Sequence, residues 1–163
     1  YNGHDARVRP AGDNYLAVPL VEESIAAGPG LISESKISDW VIVYRWQKAV
    51  KNKSALVAVR VGDRERSMVN TIHPGDMLLV DKSDRDVAQE GRIMLVIEPD
   101  GGVAVKRVSA MHRKRDLELT FYSDNAAEYP PRTYRLVEDY GEDQIARAIA
   151  GRVVWAWSDM TKK

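Results

Sequence analysis

Short runs of β-branched and aliphatic residues recur along this chain, each too short for a several-turn helix, with turn-forming residues between them. YLAVPLV (15–21), WVIVYRW (40–46), LVAVRV (56–61), MLLVD (77–81), RIMLVI (92–97), VAVKRV (103–108), LELTFY (117–122) and GRVVWAW (151–157) have the length and composition of strands. Pro74-Gly75-Asp76, Pro99-Asp100-Gly101-Gly102 and the stretch from Ser123 to Pro131 supply turns. The pattern predicts about seven to nine short strands and a mainly β fold, a sandwich or a barrel-like coil of sheets with few short helices. Pro19 predicts an edge position for the first strand, because proline offers no N–H to a neighbour. Gly28-Pro29-Gly30 argues against regular structure across 22–39. GEDQIARAIA (141–150) reads equally as a short helix or as the approach to the last strand. Residues 1–14 are polar and read as a linker or weakly ordered end, which leaves 15–163 as one domain.

Composition narrows the function classes. The 24 basic and 24 acidic side chains cancel, so no overall positive field draws the chain to nucleic acid. No cysteine is present, which excludes disulfides, thiolate catalysis and cysteine-ligated metal, and suits a reducing cytoplasm. No apolar run approaches the length of a membrane span, and no signal peptide opens the sequence. The first residue is Tyr1 rather than methionine, so the sequence reads as part of a longer protein.

Two residues carry candidate chemistry. Ser67 stands before the turn His73-Pro74-Gly75-Asp76, where its hydroxyl can be exposed among backbone N–H groups able to stabilise an oxyanion. The same residue also reads as a plain turn-capping serine. Lys106 lies in VAVKRV, where alternation puts Val103 and Val105 on one face and Ala104 and Lys106 on the other. Partial burial there lowers a lysine pKa, and a neutral lysine can take the proton of a serine. A solvent-facing lysine fits the same strand pattern.

Other candidates are weaker. His4, His73 and His112 share no metal-ligand spacing, and no cofactor or metal is expected. His112-Arg113-Lys114-Arg115 joins two strands and reads as a solvated hairpin loop. Trp40, Tyr44 and Trp46 alternate on one face, as do Trp155 and Trp157, which predicts core or a subunit interface.

The order of several short motifs adds to this. Ala27-Gly28 is followed by Ser67-Met68, Thr71-Ile72, Gly75-Asp76 and MLLVD, then Lys106-Arg107, Ser123-Asp124-Asn125 and Gly151-Arg152-Val153-Val154-Trp155. Over roughly residues 15–157 this order resembles the C-terminal domain of the LexA-like family of self-cleaving repressors. That family includes prophage repressors and UmuD-type proteins and is related in fold to signal peptidases. The sequence departs from the family at one point: Glu65 stands two residues before Ser67, where the family has glycine. Gly62-Asp63 lies earlier, as though Arg64-Glu65-Arg66 were inserted.

The resemblance implies a mainly β fold of several coiled antiparallel sheets. It implies a serine endopeptidase in which Ser67 is the nucleophile and Lys106 the general base. Ala27-Gly28 would hold the scissile peptide, and Met68 would pack beside the nucleophile, with Arg66 directly preceding it. The activity would be intramolecular cleavage stimulated by RecA filaments in the response to DNA damage. The domain would also form a homodimer and act in the cytoplasm, away from membranes. Operator DNA would be reached only through a helix-turn-helix domain that this sequence does not contain. The rival expectation is a catalytically inactive dimerisation and sensing module, controlled by an antirepressor. A third is a processing peptidase acting in trans, which the lack of a membrane anchor disfavours.

Overall fold

The computed structural model describes residues 5–30 and 32–162. The expectation of a mainly β chain holds. Every predicted run becomes a strand because its β-branched and aliphatic side chains pack on a pleated surface. These are β3 (Tyr15–Leu20), β5 (Asp39–Tyr44), β6 (Leu56–Arg60), β7 (Met77–Asp81), β8 (Ile93–Ile97), β9 (Val103–Arg113), β10 (Asp116–Tyr122) and β12 (Ile149–Trp157). Short pieces complete the set: β1 (Asp5–Ala6), β2 (Arg9–Pro10), β4 (Ile32–Ser33) and β11 (Arg132–Arg135).

One hydrogen-bonded path runs β11-β10-β9-β8-β12-β7-β6-β3-β2, and β5 pairs with β3 off that path. Pairing along it is antiparallel except between β3 and β6. A separate ribbon joins β1 to β4. Alternation sends one set of side chains into a core that includes Val57, Val59, Leu78, Val80 and Leu95. The other set enters two further clusters, one around Met94, Val96 and Leu119, the other around Val18, Val43 and Leu79. Long pairing partners therefore make the sheet curl around three apolar centres rather than stay flat.

Three local expectations need correction. Pro19 is not on an edge: β3 pairs with β5 on one side and with β2 and then β6 on the other. On that second side Ala17 faces β2 while the Val21 N–H already bonds Ala58 O at 3.0 Å. Pro19 falls between them, where the neighbour changes and no N–H is required. Residues 22–39 are also more ordered than Gly28-Pro29-Gly30 suggested. A short helix, α1 (Glu23–Ala27), forms because Ala26 is buried and Ile25 and Ala27 pack on the core. The glycine and proline stop it rather than prevent it. The 141–150 stretch resolves into a 3-10 turn at Ile145–Arg147 leading directly into β12. A second short helix, α2 (Leu136–Tyr140), was not anticipated. Asp116 accepts its first N–H groups, from Val137 at 2.8 Å and Glu138 at 3.2 Å.

The closing strand approaches β7 very closely. A Cβ on Gly151 would lie 2.5 Å from the backbone O of Asp81 and 2.8 Å from Val80 Cγ1. Backbone cannot swing aside as a side chain can. Gly151→Ala is therefore expected to cost about 1–3 kcal/mol of stability, read as a lower urea midpoint with unchanged slope. An unchanged midpoint would show that the β7–β12 contact is looser than this spacing.

Candidate active site

The hairpin β9–β10 builds one half of the site. Its register pairs Arg107 with Tyr122, so the next step along sets Ser123 beside Lys106. Lys106 Nζ donates to Ser123 Oγ at 2.8 Å, and Ser123 is buried. The ammonium also lies 5.3 Å from the centre of the Tyr129 ring. The expected faces hold: Val103 and Val105 pack in one core, while Ala104 packs with Val108 in another. Lys106 opens into a cavity of about 300 Å³ whose lining includes Glu98, Ala104, Phe121, Tyr129 and Arg132. Burial lowers the Lys106 pKa below the ordinary lysine value, while Glu98 and Glu65 pull it back up and Arg132 lowers it further.

The other half is the irregular stretch between β6 and β7. Ser67 opens a series of turns there and is 6% exposed. Met68, the next residue in these turns, is buried with Val61 and Ile72, and its carbonyl accepts from Thr71 and Ile72 N–H at 2.8 Å each. The Gly75-Asp76 step ends the stretch. The buried Asp76 carboxylate accepts from the His73 N–H at 2.9 Å and the Ser158 hydroxyl at 2.6 Å. Ser67 faces a hollow of about 10 Å³, lined by Glu23, Glu65, Met68, Ile72, Ala104 and others. That is roughly the room one water needs. Ala104 lines both this hollow and the Lys106 cavity, so the two adjoin.

The Ser123-Asp124-Asn125 segment ties the halves together. Asn125 N donates to Ser67 O at 3.0 Å, and its side-chain amide donates to Arg66 O at 3.3 Å. Asp124 accepts from Arg107 Nε at 2.6 Å and Nη2 at 3.2 Å, and from the Thr71 hydroxyl. The Arg107 guanidinium holds the Asp124 carboxyl below the usual range; burial opposes it, and the Thr71 hydroxyl adds a smaller lowering. Among the described residues, no hydrogen bond joins Ser67 directly to Lys106.

The structure thus gathers Ser67, Met68, Arg66 and Lys106 at one locus, with Arg66 itself exposed. Ala27 and Gly28 lie elsewhere along α1. Ala27 is the last residue of the helix, and Gly28 O accepts from Lys82 Nζ at 3.1 Å. It is the start of α1, at Glu23, that covers Ser67. Burial and then Glu65 raise the Glu23 pKa. Glu23 and Tyr129 escaped sequence reasoning because they come from separate elements, whereas Glu65 was legible as the charged residue two positions before Ser67. Ser123 had a usable signal, since a hairpin register between VAVKRV and LELTFY sets it opposite Lys106. His4 lies outside the described residues, and His73 is 3.8 Å from Asp76. Among the described residues, no group of His, Asp or Glu could hold a metal ion. The basic cluster is the exposed turn of the β9–β10 hairpin, as expected.

The curled β architecture is of a serine-peptidase type, which the matching family indicates. The family described as Peptidase S24-like matches residues 19–154. The chain belongs to that family, which comprises the LexA- and UmuD-type C-terminal domains. Comparison with curated proteins gave no match.

The tie through Asp124 makes a stability prediction. Its folded pKa is depressed, so its contribution is present above the ordinary aspartate pKa and disappears as pH falls through the folded value. Asp124→Asn is expected to lower the urea midpoint at neutral pH by about 1 kcal/mol or less, because the pair is partly open to solvent. Parent and variant should begin to converge as pH falls below the ordinary aspartate pKa and coincide only below the depressed folded value. A difference that persists unchanged there would assign the effect to packing instead of charge.

Proposed function

We propose that this domain is the regulatory part of a phage-type repressor that cuts its own chain between Ala27 and Gly28, with Ser67 as nucleophile and Lys106 as base. The observation that carries the reading is the bridge 123–125, which holds a half-buried amine and a buried serine loop next to each other. In the proposed reaction Ser67 Oγ attacks the Ala27 carbonyl carbon and passes its proton to Lys106. The C–N bond breaks, and Lys106 returns the proton to the leaving Gly28 nitrogen. Water then releases Ala27 from Ser67. The arrangement described above would be the resting form. For cleavage the 23–30 segment must unwind from α1, and Lys106 must exchange Ser123 for Ser67. Holding the substrate in cis makes this an equilibrium of one segment rather than an encounter. A RecA filament is the proposed stimulus, acting by favouring the extended segment.

One observation favours a second reading, a catalytically inactive dimerisation and sensing module under an antirepressor. Glu65 and Glu23 stand at the Ser67 hollow. Negative charge there opposes a developing oxyanion, and Glu65 also favours the charged form of Lys106. Both readings include a homodimer. Among the described residues β5 is paired only with β3, and along it Ile42 is 56% exposed and Tyr44 45%. A strand edge open on one side with apolar side chains is a natural surface for a second copy. Replacing Ile42 with Glu is expected to shift sedimentation of a dimer toward monomer; unchanged sedimentation would move the interface elsewhere.

The deciding experiment follows intact mass at mildly alkaline pH. The parent should separate residues 1–27 from the rest at a rate independent of protein concentration. Ser67→Ala and Lys106→Ala should slow this by roughly 10²–10⁴-fold while keeping the fold. The rate should rise with pH and level off above the Lys106 pKa, below where an ordinary lysine would, since only the neutral amine is a base. A parent that stays intact even with activated RecA filaments would establish the inactive module instead.

A further inference from the structure

A second cavity, of about 330 Å³, shares no lining residue with the hollows at Ser67 and Lys106. Its walls come from the segment before β2, from β3, from the chain beyond α1, and from the ends of β6 and β7. Arg7, Lys82 and Arg85 all line it, and among the described residues no acidic side chain does. In a chain with equal numbers of acids and bases, such a one-sided lining is a local concentration of charge.

Asp81 and Asp84, the acids beside Lys82 and Arg85 in the chain, are engaged elsewhere. The Asp81 carboxylate accepts from the Ser83 hydroxyl at 2.6 Å and faces Lys53 at 3.8 Å. Asp84 lies 3.6 Å from Arg92 and 3.8 Å from Arg152. Among the described residues, none of the three cations has an ion-pair partner. Arg85 Nε donates to Ile149 O at 3.0 Å, and Lys82 Nζ donates to Gly28 O at 3.1 Å. Burial, and then Arg85, lower the Lys82 pKa, so these charges repel each other in a half-buried place. The rest of the lining includes Val8, Pro19, Ile32 and Leu56, which are apolar. Uncompensated cations over an apolar wall are complementary to an acidic head group on a compact apolar body. Two guanidinium groups and an ammonium favour phosphate.

We propose that this cavity binds a small organic phosphate through Arg7, Lys82 and Arg85, and that binding draws Lys82 off the Gly28 carbonyl. A charge-assisted bond to phosphate is stronger than one to a neutral carbonyl, so the ligand wins the lysine. The end of α1 then loses the side-chain bond that holds Gly28 O. If residues 27–28 are the cleaved bond, which rests on the reading above, the ligand tunes how readily that segment extends. The binding itself does not depend on cleavage.

The test uses phenyl phosphate as probe at constant ionic strength, with the full chain carrying Ser67→Ala so that no cutting occurs. Saturable one-to-one binding by calorimetry is expected at or below about 1 mM. Arg7→Gln and Lys82→Met should each weaken it about tenfold or more. Lys114→Met, which removes a lysine from the exposed β9–β10 turn outside the cavity, should bind like the parent. Hydrogen exchange in a peptide spanning 23–30 should quicken on binding, and Lys82→Met should quicken it without ligand. No saturable binding, or equal binding in both cavity variants, overturns the site. Inorganic phosphate binding as tightly as phenyl phosphate reduces it to an adventitious ion only. Slower exchange on binding overturns the release of Gly28. In the chain with Ser67 restored, binding without any cleavage would count against the Ser67 reading and leave this site standing.

Discussion

Asp124 accepts from Arg107 and Thr71 at once, and the organisation of the site depends on that double contact. Arg107 belongs to β9, the strand that carries Lys106. Thr71 belongs to the turns that Ser67 opens. The two lie far apart in sequence, and no strand pairing joins them directly. A charged acceptor between them converts two independent segments into one unit. Its neighbours extend the contact, Ser123 to the Lys106 amine and Asn125 to the backbone of Arg66 and Ser67. Three consecutive residues therefore set the spacing of everything chemically interesting. This economy follows from the β9–β10 register, which delivers Ser123 next to Lys106 as soon as β10 ends.

The electrostatics around that unit pull in opposite directions. Burial disfavours the charged form of Lys106, which suits a base. Glu98, Glu65 and the face of Tyr129 favour the charged form, which does not. Glu23 meets no such conflict, since burial and then Glu65 both raise its pKa. Moving α1 would take Glu23 out of the Ser67 hollow. The helix thus acts on the site through charge and through occlusion. Its other end is held independently, by packing of Ile25 and Ala27 and by the Lys82 bond to Gly28 O. The two ends of five residues answer to two different parts of the molecule.

Much of this was legible in the sequence. The short valine-rich runs dictated strands because their side chains suit a pleated, half-buried surface, and all eight became strands. The faces of VAVKRV followed from alternation alone. The order of Ser67-Met68, Gly75-Asp76, Lys106-Arg107 and Ser123-Asp124-Asn125 pointed to the family that the comparison then returned. What failed was local. Gly28-Pro29-Gly30 was read as excluding order nearby, but the apolar face of Ile25, Ala26 and Ala27 had a core to bind. Pro19 was read as an edge because which partner lies beside it is decided by a parallel contact with a distant strand.

The sequence by itself determined the class of fold, the faces of the strands and the residue types available for chemistry, since these rest on short-range periodicity and composition. Tertiary structure alone decided that Glu23 sits at Ser67, that Ser123 and not Ser67 holds Lys106, and that Lys82 holds Gly28. Each of these pairs residues from separate elements, and only the curl of a ten-strand sheet brings them within bonding range. No local pattern encodes that curl, because it emerges from twist summed over many pairings.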